Sequence, residues 1–229
     1  MFSLHGYGPS ILEGTYLTIT ISLASLCISM LLGIMGAMAK LSKSKTLQIG
    51  SQVYTTIIRG IPDLVLMLLV FFGGQVFINQ MAPMVGYDEY IDINPFIAGV
   101  STIGLIFGAY MTETFRGGIL AVPQGQIEAG QAYGMNRFQV FIRIVVPQMI
   151  RHAIPGFGNN WLVMIKTTAL VSIIGLDDMV RKASLAAGAT RLPFTFYAVV
   201  AINYLIITSV SVYLLKWLEN RYSVGVIRS

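Results

Sequence analysis

Long stretches without a charged residue alternate with short polar segments along the chain. Four of these stretches contain 20 to 26 residues, and a helix needs about 20 largely apolar residues to cross the hydrocarbon core of a bilayer. The pattern therefore predicts membrane-spanning helices. The four charge-free intervals are 14–39, 64–87, 93–112 and 192–215.

A fifth apolar region is interrupted by one lysine. Fourteen uncharged residues precede Lys166 and ten follow it, which predicts one helix, or a broken one, that carries Lys166 inside the membrane. The fold class predicted is all-α: an integral membrane bundle of five transmembrane helices in a single domain, 1–229. The spans are predicted near 14–39, 53–79, 94–116, 149–174 and 193–217, with a polar loop at 120–147.

Composition supports a membrane protein and argues against other classes. Only 11% of the residues are charged, whereas soluble domains average about 25%. The net charge of +5 does not indicate nucleic-acid binding, because the cations lie between apolar segments and form no runs with interleaved aromatic residues. The lone Cys27 is predicted to be a packed thiol, and the two histidines are far apart. We predict no catalytic residue, no cofactor and no metal.

Basic residues are unevenly divided between the two sides of the predicted bundle. Eleven Lys and Arg residues fall in the connecting segments on one side and three on the other. Because basic residues accumulate in short cytoplasmic loops, the imbalance predicts an external N-terminus and a cytoplasmic C-terminus. An odd number of spans also excludes a complete inverted repeat within one chain, so the other half of a pore must come from a second chain.

Ionisable residues inside the predicted spans are candidate functional residues, because burying them in a membrane is costly. The segment Arg59-Gly60-Ile61-Pro62 precedes Asp63. It is either a helix start, with Asp63 in the first turn, or a kink that turns Asp63 toward a central cavity. Glu113 either pairs with Arg116 at a helix end or lines the cavity as an acid.

The predicted fourth span carries further polar candidates. Lys166 needs an acidic or carbonyl partner, or contacts a substrate. Asn159 and Asn160 are predicted to face the bundle or the pore, because lipid offers them no hydrogen bonds, and Thr168 is a weaker candidate. The charges within 177–182 predict an external amphipathic helix with an i,i+4 charge pattern on a solvated face.

The polar stretch at 120–147 predicts a short amphipathic helix from 126 to 141. Gly130 and Gly134 would allow another backbone to approach closely, and Pro147 would end the element before the next span. By composition alone, this helix could equally lie on lipid headgroups. The sequence contains no G-x4-G-K-[ST] phosphate loop, so any nucleotide binding must belong to a partner.

The same stretch matches a family motif at every spacing. Glu128-Ala129-Gly130 is followed after three residues by Gly134, and after nine more by Ile144, with Val146 and Pro147 completing the pattern. This pattern resembles the EAA loop of ABC-importer permeases, with glycine at the third alanine and valine at the usual leucine.

The resemblance extends over most of the chain. Residues 59–63 look like the RGTP segment of the polar amino-acid permeases, residues 108–129 match their stretch leading into the loop, and residues 166–172 look like their K-x-T-S-L segment. Residues 62–67 and 221–226 are similar to the branch of the family that carries histidine, lysine, arginine and ornithine.

The resemblance implies a MetI-like permease fold in the bacterial inner membrane, with the loop forming a helix that docks on an ATPase. The implied partners are a homologous permease subunit, two ATPase subunits, a periplasmic amino-acid-binding protein and the lipid bilayer. The coupling residues it implies are Glu128, Ala129, Gly130, Gly134, Arg137 and Pro147. The candidate substrate contacts are Asp63, Asn159, Asn160, Thr168 and Glu113.

We therefore predict a transport subunit, not an enzyme, for polar and particularly basic amino acids. An acid at Asp63 suits a cationic side chain in a cavity of low dielectric. Two alternatives remain at the level of the sequence. One is a permease of the same class for glutamine or another neutral amino acid, and the other is an ion-gradient carrier that needs no ATPase.

Overall fold

The computed structural model describes residues 4–222, and its regular structure in that range is helical, without strands. Local signals begin the long helices: Pro9 and Pro95 lie in first turns, and the Asn94 side chain accepts a hydrogen bond from the Phe96 backbone N–H at 2.8 Å. The predicted all-α class is confirmed. The helices are α1 (Gly8–Leu41), α2 (Lys45–Gly60), α3 (Asp63–Leu68), α4 (Gly74–Met81), α5 (Pro95–Leu120), α6 (Gln124–Ala132), α7 (Arg137–Val140), α8 (Val146–Thr167), α9 (Met179–Thr190) and α10 (Pro193–Tyr222).

Four segments of residues 4–222 are long and apolar enough to cross a membrane. The fifth long helix, α8, has 22 residues and is more polar, because it carries Arg151, both asparagines and Lys166. It ends at Thr167, directly after Lys166, and a 3-10 turn, Thr168–Ser172, follows. The Lys166 side chain is exposed and forms no ion pair with the described residues. The four apolar segments are Gly8–Leu41, Asp63–Val85, Pro95–Leu120 and Pro193–Tyr222.

Parallel packing of α1 on α5 forms the centre of the bundle. A Cβ added at Gly104 would lie 2.6 Å from Ile28 Cγ2, and one at Gly108 would lie 2.8 Å from Leu32 Cβ. The contacts advance in the same direction along both helices, and the buried Ser25 hydroxyl donates to the Val100 carbonyl at 3.2 Å. Small residues four apart let the two backbones approach closely, which is how helices gain dispersion contacts inside a membrane.

The buried stripe of α1 explains the position of Cys27. Small residues recur every three or four positions along the face that packs on the bundle, and Cys27 lies off that face, so it is exposed rather than packed as predicted. Its buried residues include Gly14, Thr18, Ser22, Ser25, Ser29, Gly33 and Ala37.

A break divides the segment predicted as one span at 53–79. The helix α2 ends at Gly60, Ile61 and Pro62 have extended ψ angles of 137°, and α3 begins at Asp63. Proline disfavours the helical conformation of the residue before it, which accounts for the break at Ile61. The structure shows the helix start, with Asp63 in the first turn of α3, and the break also places Asp63 at a cavity, so each interpretation holds in part.

Two amide side chains of α4 hold the extended segment that leads into α5. The Asn79 side chain accepts from the Ile91 N–H and donates to the Ile91 carbonyl, both at 2.8 Å. The Gln75 side chain accepts from the Ile93 N–H at 2.8 Å and also donates to the Ile91 carbonyl. These bonds satisfy backbone groups that lie outside any helix.

Residues 177–182 form the start of α9, as the charge pattern predicts, but not on a purely solvated face. The Asp177–Arg181 pair, at 3.1 Å, is exposed, whereas Lys182 reaches Glu13 of α1 at 2.8 Å. Asp178 is fully buried and caps α9 by accepting from the Arg181 N–H at 3.0 Å. Burial raises the pKa of Asp178 to about 6, although these backbone donors favour its charged form.

The C-terminal part of the family resemblance, Ser223 to Val226, and the basic residue Arg228 lie outside the described residues.

We expect Gly14→Ala to destabilise the bundle by roughly 1–3 kcal/mol, the usual range for overpacking. A Cβ at Gly14 would lie 2.8 Å from both Cα and N of Met179, and backbone atoms cannot rotate away as a side chain can. Gly50→Ala is the matched control, because a Cβ there meets open space and alanine favours the helix by up to about 1 kcal/mol. Thermal unfolding of the purified protein in detergent measures both, and equal effects would contradict the prediction.

Candidate functional site

A cavity of about 140 Å³ lies beside the break between α2 and α3. Asp63 faces it from the first turn of α3, opposite aromatic side chains of α5 and two amides of α8. Three helices therefore bring one carboxylate, one phenol and two amides around a small volume. The lining residues are Asp63, Phe107, Tyr110, Asn159, Asn160 and Val163.

Asp63 is the acid of this cavity. Its side chain is half-buried, and no described cation lies within ion-pair distance of it. A carboxylate in the first turn of a helix is favoured by the partial positive charge of the free backbone N–H groups there. Asp63 is therefore available to a cationic ligand.

The two asparagines differ in their surroundings. Asn160 donates to the Thr114 hydroxyl of α5 at 3.0 Å, so its orientation is set by the α5–α8 interface. Asn159 is exposed and also lines a second cavity, between α8 and α10, with Pro155 and Leu215. Asn159 thus keeps free hydrogen-bonding capacity for a ligand on either side of α8.

A third cavity, of about 400 Å³, shares Tyr110 with the Asp63 cavity. Arg59 lies at its edge with its guanidinium carbon 5.3 Å from the centre of the Tyr110 ring. We call it the inner cavity, because it leads from the Asp63 cavity toward the end of the bundle that carries residues 119–145. Its lining residues are Gln52, Thr55, Thr56, Arg59, Gly60, Tyr110 and Glu113.

An ion cluster adjoins the inner cavity at Glu113. The Lys40 ammonium forms a very short hydrogen bond with one Glu113 oxygen and also donates to Gln52 at 2.8 Å and Thr55 at 2.7 Å. Arg116 contacts the other Glu113 oxygen at 3.0 Å. Only 8% of the Lys40 side chain is exposed, so Glu113 serves chiefly to compensate a buried cation.

The structure brings together some of the candidate substrate contacts and separates others. Asp63, Asn159 and Asn160 line one cavity, while Glu113 lines the inner cavity. Thr168 is fully buried and donates to the Ile165 carbonyl at 2.6 Å, so it lines neither. It follows α8 in a tight 3-10 turn, where that short local bond satisfies the hydroxyl.

The sequence did not reveal the aromatic residues Phe107 and Tyr110 of these cavities or Lys40 of the ion cluster. The aromatic residues lie in a charge-free span, where they are indistinguishable from core residues. Lys40 looks like an ordinary helix-end cation, and only its proximity to Glu113, 73 positions away, makes it part of the cluster. The sequence also does not show that Arg59 lies beside Tyr110 in the inner cavity, because the two residues are on different helices.

The loop at 120–147 forms two helices instead of the single helix predicted from 126 to 141. The helix α6 ends at Ala132, a turn follows, and α7 begins at Arg137 under a capping box made by Asn136 and Gln139. Asn136 favours a cap over a helix interior because its side chain bonds to nearby backbone N–H groups.

The two glycines of the loop serve different purposes. A Cβ at the buried Gly130 would lie 2.5 Å from Ile144 Cδ1, so Gly130 allows a side chain, not another backbone, to pack closely. Gly134 has φ of +81° in the turn after α6, with open space around it. Its requirement is conformational, because residues with a Cβ rarely adopt that geometry.

Pro147 does not end the loop element, contrary to the prediction. The chain passes from α7 through a π-helical turn, Phe141–Val145, directly into α8, with Pro147 in the first turn of α8. Proline is tolerated at that position, and the wider π turn precedes the point where its N–H is missing. The loop is thus rigidly joined to α8, which carries Asn159 and Asn160.

The loop has its own apolar core and an exposed outer surface. Val122, Val140 and Val145 form the core, whereas Tyr133 is 89% exposed and Phe138 is 73% exposed. Large exposed aromatic side chains on a rigid loop indicate a binding surface. We call this the loop surface; its exposed residues are Glu128, Ala129, Tyr133, Arg137 and Phe138.

Comparison with known proteins agrees with this architecture. The family described as "Binding-protein-dependent transport system inner membrane component" matches residues 14–224. The chain belongs to this family. It is therefore a multi-pass inner-membrane permease subunit of an ABC importer, and the family resemblance found in the sequence is confirmed.

Individual members of the family are similar over nearly the whole chain. The histidine/lysine/arginine/ornithine transport system permease protein HisQ of Salmonella typhimurium is 49% identical, covering 99% of both chains. The octopine transport system permease protein OccQ of Rhizobium meliloti is 42% identical over 92% of this chain and 89% of its own. The arginine ABC transporter permease protein ArtQ of Escherichia coli is 36% identical, covering 90% of this chain and 91% of its own.

Solved structures show the same fold. A structure described as "Crystal structure of an amino acid ABC transporter with histidines" superposes with a TM-score of 0.81 at 32% identity, covering 96% of this chain and 98% of the other. The inward-facing MetNI methionine ABC transporter superposes with a TM-score of 0.67 at 15% identity, over 96% of this chain and 98% of its own. The predicted MetI-like fold is therefore confirmed for this permease.

We expect Glu113→Gln to lower the free energy of unfolding by roughly 2 kcal/mol, because it leaves the buried Lys40 ammonium without its carboxylate. The loss should be smaller than for an isolated buried cation, since Lys40 keeps Gln52 and Thr55. Arg116→Gln is the control and should cost less than about 1 kcal/mol, because the Arg116 side chain is 39% exposed. Thermal melting of the purified permease compares them, and an equal loss in both variants would refute this role of Glu113.

Proposed function

We propose that the chain is the permease subunit of an ABC importer for basic amino acids, and that Asp63 binds the cationic side chain. The observation that carries the proposal is an acid without a described cationic partner, in a small cavity between three helices. The names of similar permeases, which include histidine, lysine, arginine and ornithine, support the same substrate class.

Electrostatics favours a cation at Asp63. In a cavity of low effective dielectric, an unpaired carboxylate is costly, and a bound ammonium or guanidinium offsets that cost. The amides of Asn159 and Asn160 would supply neutral hydrogen bonds, and Tyr110 and Phe107 would contact the aliphatic part of the ligand. The proposed substrate contacts are therefore Asp63, Asn159 and Asn160. Glu113 remains a candidate on the side of the inner cavity, and Thr168 is the weakest.

The proposed assembly contains a homologous permease subunit, two ATPase subunits and a periplasmic binding protein. ATP hydrolysis is assigned to the partner because the sequence has no phosphate loop. The orientation follows from the uneven distribution of Lys and Arg, which supports a periplasmic N-terminus and a cytoplasmic C-terminus. That orientation puts the loop surface in the cytoplasm, on the side of an ATPase.

The loop at 120–147 is proposed to transmit ATPase movement to the substrate cavity. Glu128, Ala129 and Arg137 would contact the ATPase, together with the exposed Tyr133 and Phe138. Gly130, Gly134 and Pro147 would act within the loop by maintaining its packing, its turn and its junction with α8. Because α7 continues into α8, a shift of the loop moves the asparagines of the cavity, and binding can favour one of two states.

Two other functions are less well supported. A neutral substrate such as glutamine would use the two amides but would leave Asp63 without a charged partner. An ion-gradient carrier would need no ATPase, and membership in a family of binding-protein-dependent transport components argues against it.

We expect Asp63→Asn to reduce ATP-driven uptake of arginine by about tenfold or more, the consequence of losing roughly 1.4 kcal/mol or more of charge pairing. Asp63→Glu should retain part of the activity, because it keeps the charge. Asp92→Asn, an exposed acid in the segment before α5, is the matched control and should behave as wild type. Uptake is measured in proteoliposomes that contain the complete importer.

The same assay with glutamine separates the substrate classes. If Asp63→Asn leaves arginine uptake intact, the proposed role of Asp63 fails. If the wild type transports glutamine in preference to arginine, the basic-substrate proposal fails.

We expect the pair Tyr133→Ala and Phe138→Ala to weaken binding of the ATPase by about thirtyfold or more, as aromatic residues at interface centres contribute about 2 kcal/mol or more. Both side chains are exposed, so the permease should fold normally. Tyr16→Ala is the control, because Tyr16 is 74% exposed and lies near the N-terminal end of α1, away from the loop. Titration of labelled ATPase onto the permease in nanodiscs measures the affinity, and unchanged binding would exclude these residues from the interface.

A further inference from the structure

Arg59 is a cation near the proposed substrate contacts, and no role has been assigned to it above. It lines the inner cavity, and its guanidinium carbon lies over the Tyr110 ring, 5.3 Å from the ring centre. No described Asp or Glu lies within ion-pair distance of its guanidinium. A contact with the face of the ring leaves the N–H donors of the guanidinium available for a ligand.

The other charges of the inner cavity favour an anion beside Arg59. Glu113 is the acid that lines this cavity, and both of its oxygens are already held by Lys40 and Arg116. Among the described residues that line the inner cavity, Arg59 is the cation and Glu113 the carboxylate, and Glu113 is already paired with Lys40 and Arg116. The excess positive charge attracts a carboxylate and repels a lone cation.

The helix break places opposite charges in two cavities that share one aromatic residue. Arg59 lies in the last turn of α2 and lines the inner cavity. Asp63 begins α3 and lines the smaller cavity, and Tyr110 lines both cavities. Arg59 and Asp63 are four positions apart in the chain, so their Cα atoms are at most about 14 Å apart. A basic amino acid carries a carboxylate at one end and a cation at the other, in the same order.

We propose that Arg59 binds the α-carboxylate of the transported amino acid while Asp63 holds its side-chain cation. This inference rests on the proposed function and adds a specificity-determining residue to it. The guanidinium would form a two-point charge-assisted bond with the carboxylate, which an ammonium cannot match geometrically. The polar side chains of Gln52 and Thr56 line the same cavity and supply acceptors for the adjacent α-ammonium.

This arrangement makes the permease itself select amino acids over simple cationic amines. A ligand without the carboxylate would leave the positive charge of the inner cavity uncompensated. A purely structural role, in which Arg59 only stacks on Tyr110, would affect all ligands to the same degree. The two roles therefore differ in how substitution at Arg59 changes discrimination between ligands.

The test compares L-arginine with L-argininamide, in which a neutral amide replaces the carboxylate and the guanidinium is retained. Binding of tritiated L-arginine to the complete permease–ATPase complex in nanodiscs, without the binding protein, is measured directly and in competition with L-argininamide. The variants are Arg59→Gln and Arg59→Lys. Lys43→Gln, which removes an exposed cation between α1 and α2, is the matched control.

The wild type and Lys43→Gln are expected to bind L-arginine at least about tenfold more tightly than L-argininamide. In Arg59→Gln, the affinity for L-arginine should fall and the affinity for L-argininamide should not fall, so that the two affinities become about equal. Arg59→Lys should give an intermediate ratio, because it keeps the charge and loses the two-point geometry.

An unchanged ratio in Arg59→Gln, or equal loss of both ligands, overturns the assignment of Arg59. If the Arg59→Gln complex fails to assemble, the ratio of the two affinities in the wild type decides. Equal binding of L-arginine and L-argininamide by the wild type also overturns the assignment of Arg59. If the wild-type complex binds neither ligand at millimolar concentration, the proposed basic-substrate function fails, and this inference fails with it. Binding of both ligands without discrimination leaves the proposed function intact.

Discussion

The close parallel contact between α1 and α5 is the constraint on which the rest of the structure depends. Lipid is as apolar as the helix surfaces, so helices in a membrane associate through close packing rather than through the hydrophobic effect. Gly104 and Gly108 let α1 approach α5 closely, and this register brings Lys40 to Glu113. Two parallel helices also require the intervening chain to return across the bundle, and that return path carries the break before Asp63.

The break between α2 and α3 divides the chain at the proposed binding site. Helix ends expose backbone groups that a continuous helix would satisfy, and such ends occur in membranes only where they line a cavity or contact protein. Here the break separates Arg59 from Asp63, and the ring of Tyr110 lies between the two cavities. The resulting separation of charge is the feature from which the proposed selectivity for basic amino acids follows.

Local sequence signals predicted individual elements better than their junctions. Charge-free intervals identify the long apolar helices, and the spacing around Glu128 identifies the family, because both depend on residues close together in the chain. The loop helix was predicted too long, since Asn136 caps a new helix and Gly134 requires a turn. The polar residues beside Thr168 made it a candidate substrate contact, yet its hydroxyl donates to a carbonyl three residues away.

The sequence by itself determined an all-α membrane bundle and its family. Each of these follows from composition or from motifs at short spacing. Only the tertiary structure decided that Asp63 shares a cavity with Asn160, that Tyr110 lies between an acid and a cation, and that Lys40 is buried against Glu113. Such contacts join residues 50 to 100 positions apart, and helical periodicity shows which face is buried without showing what it meets.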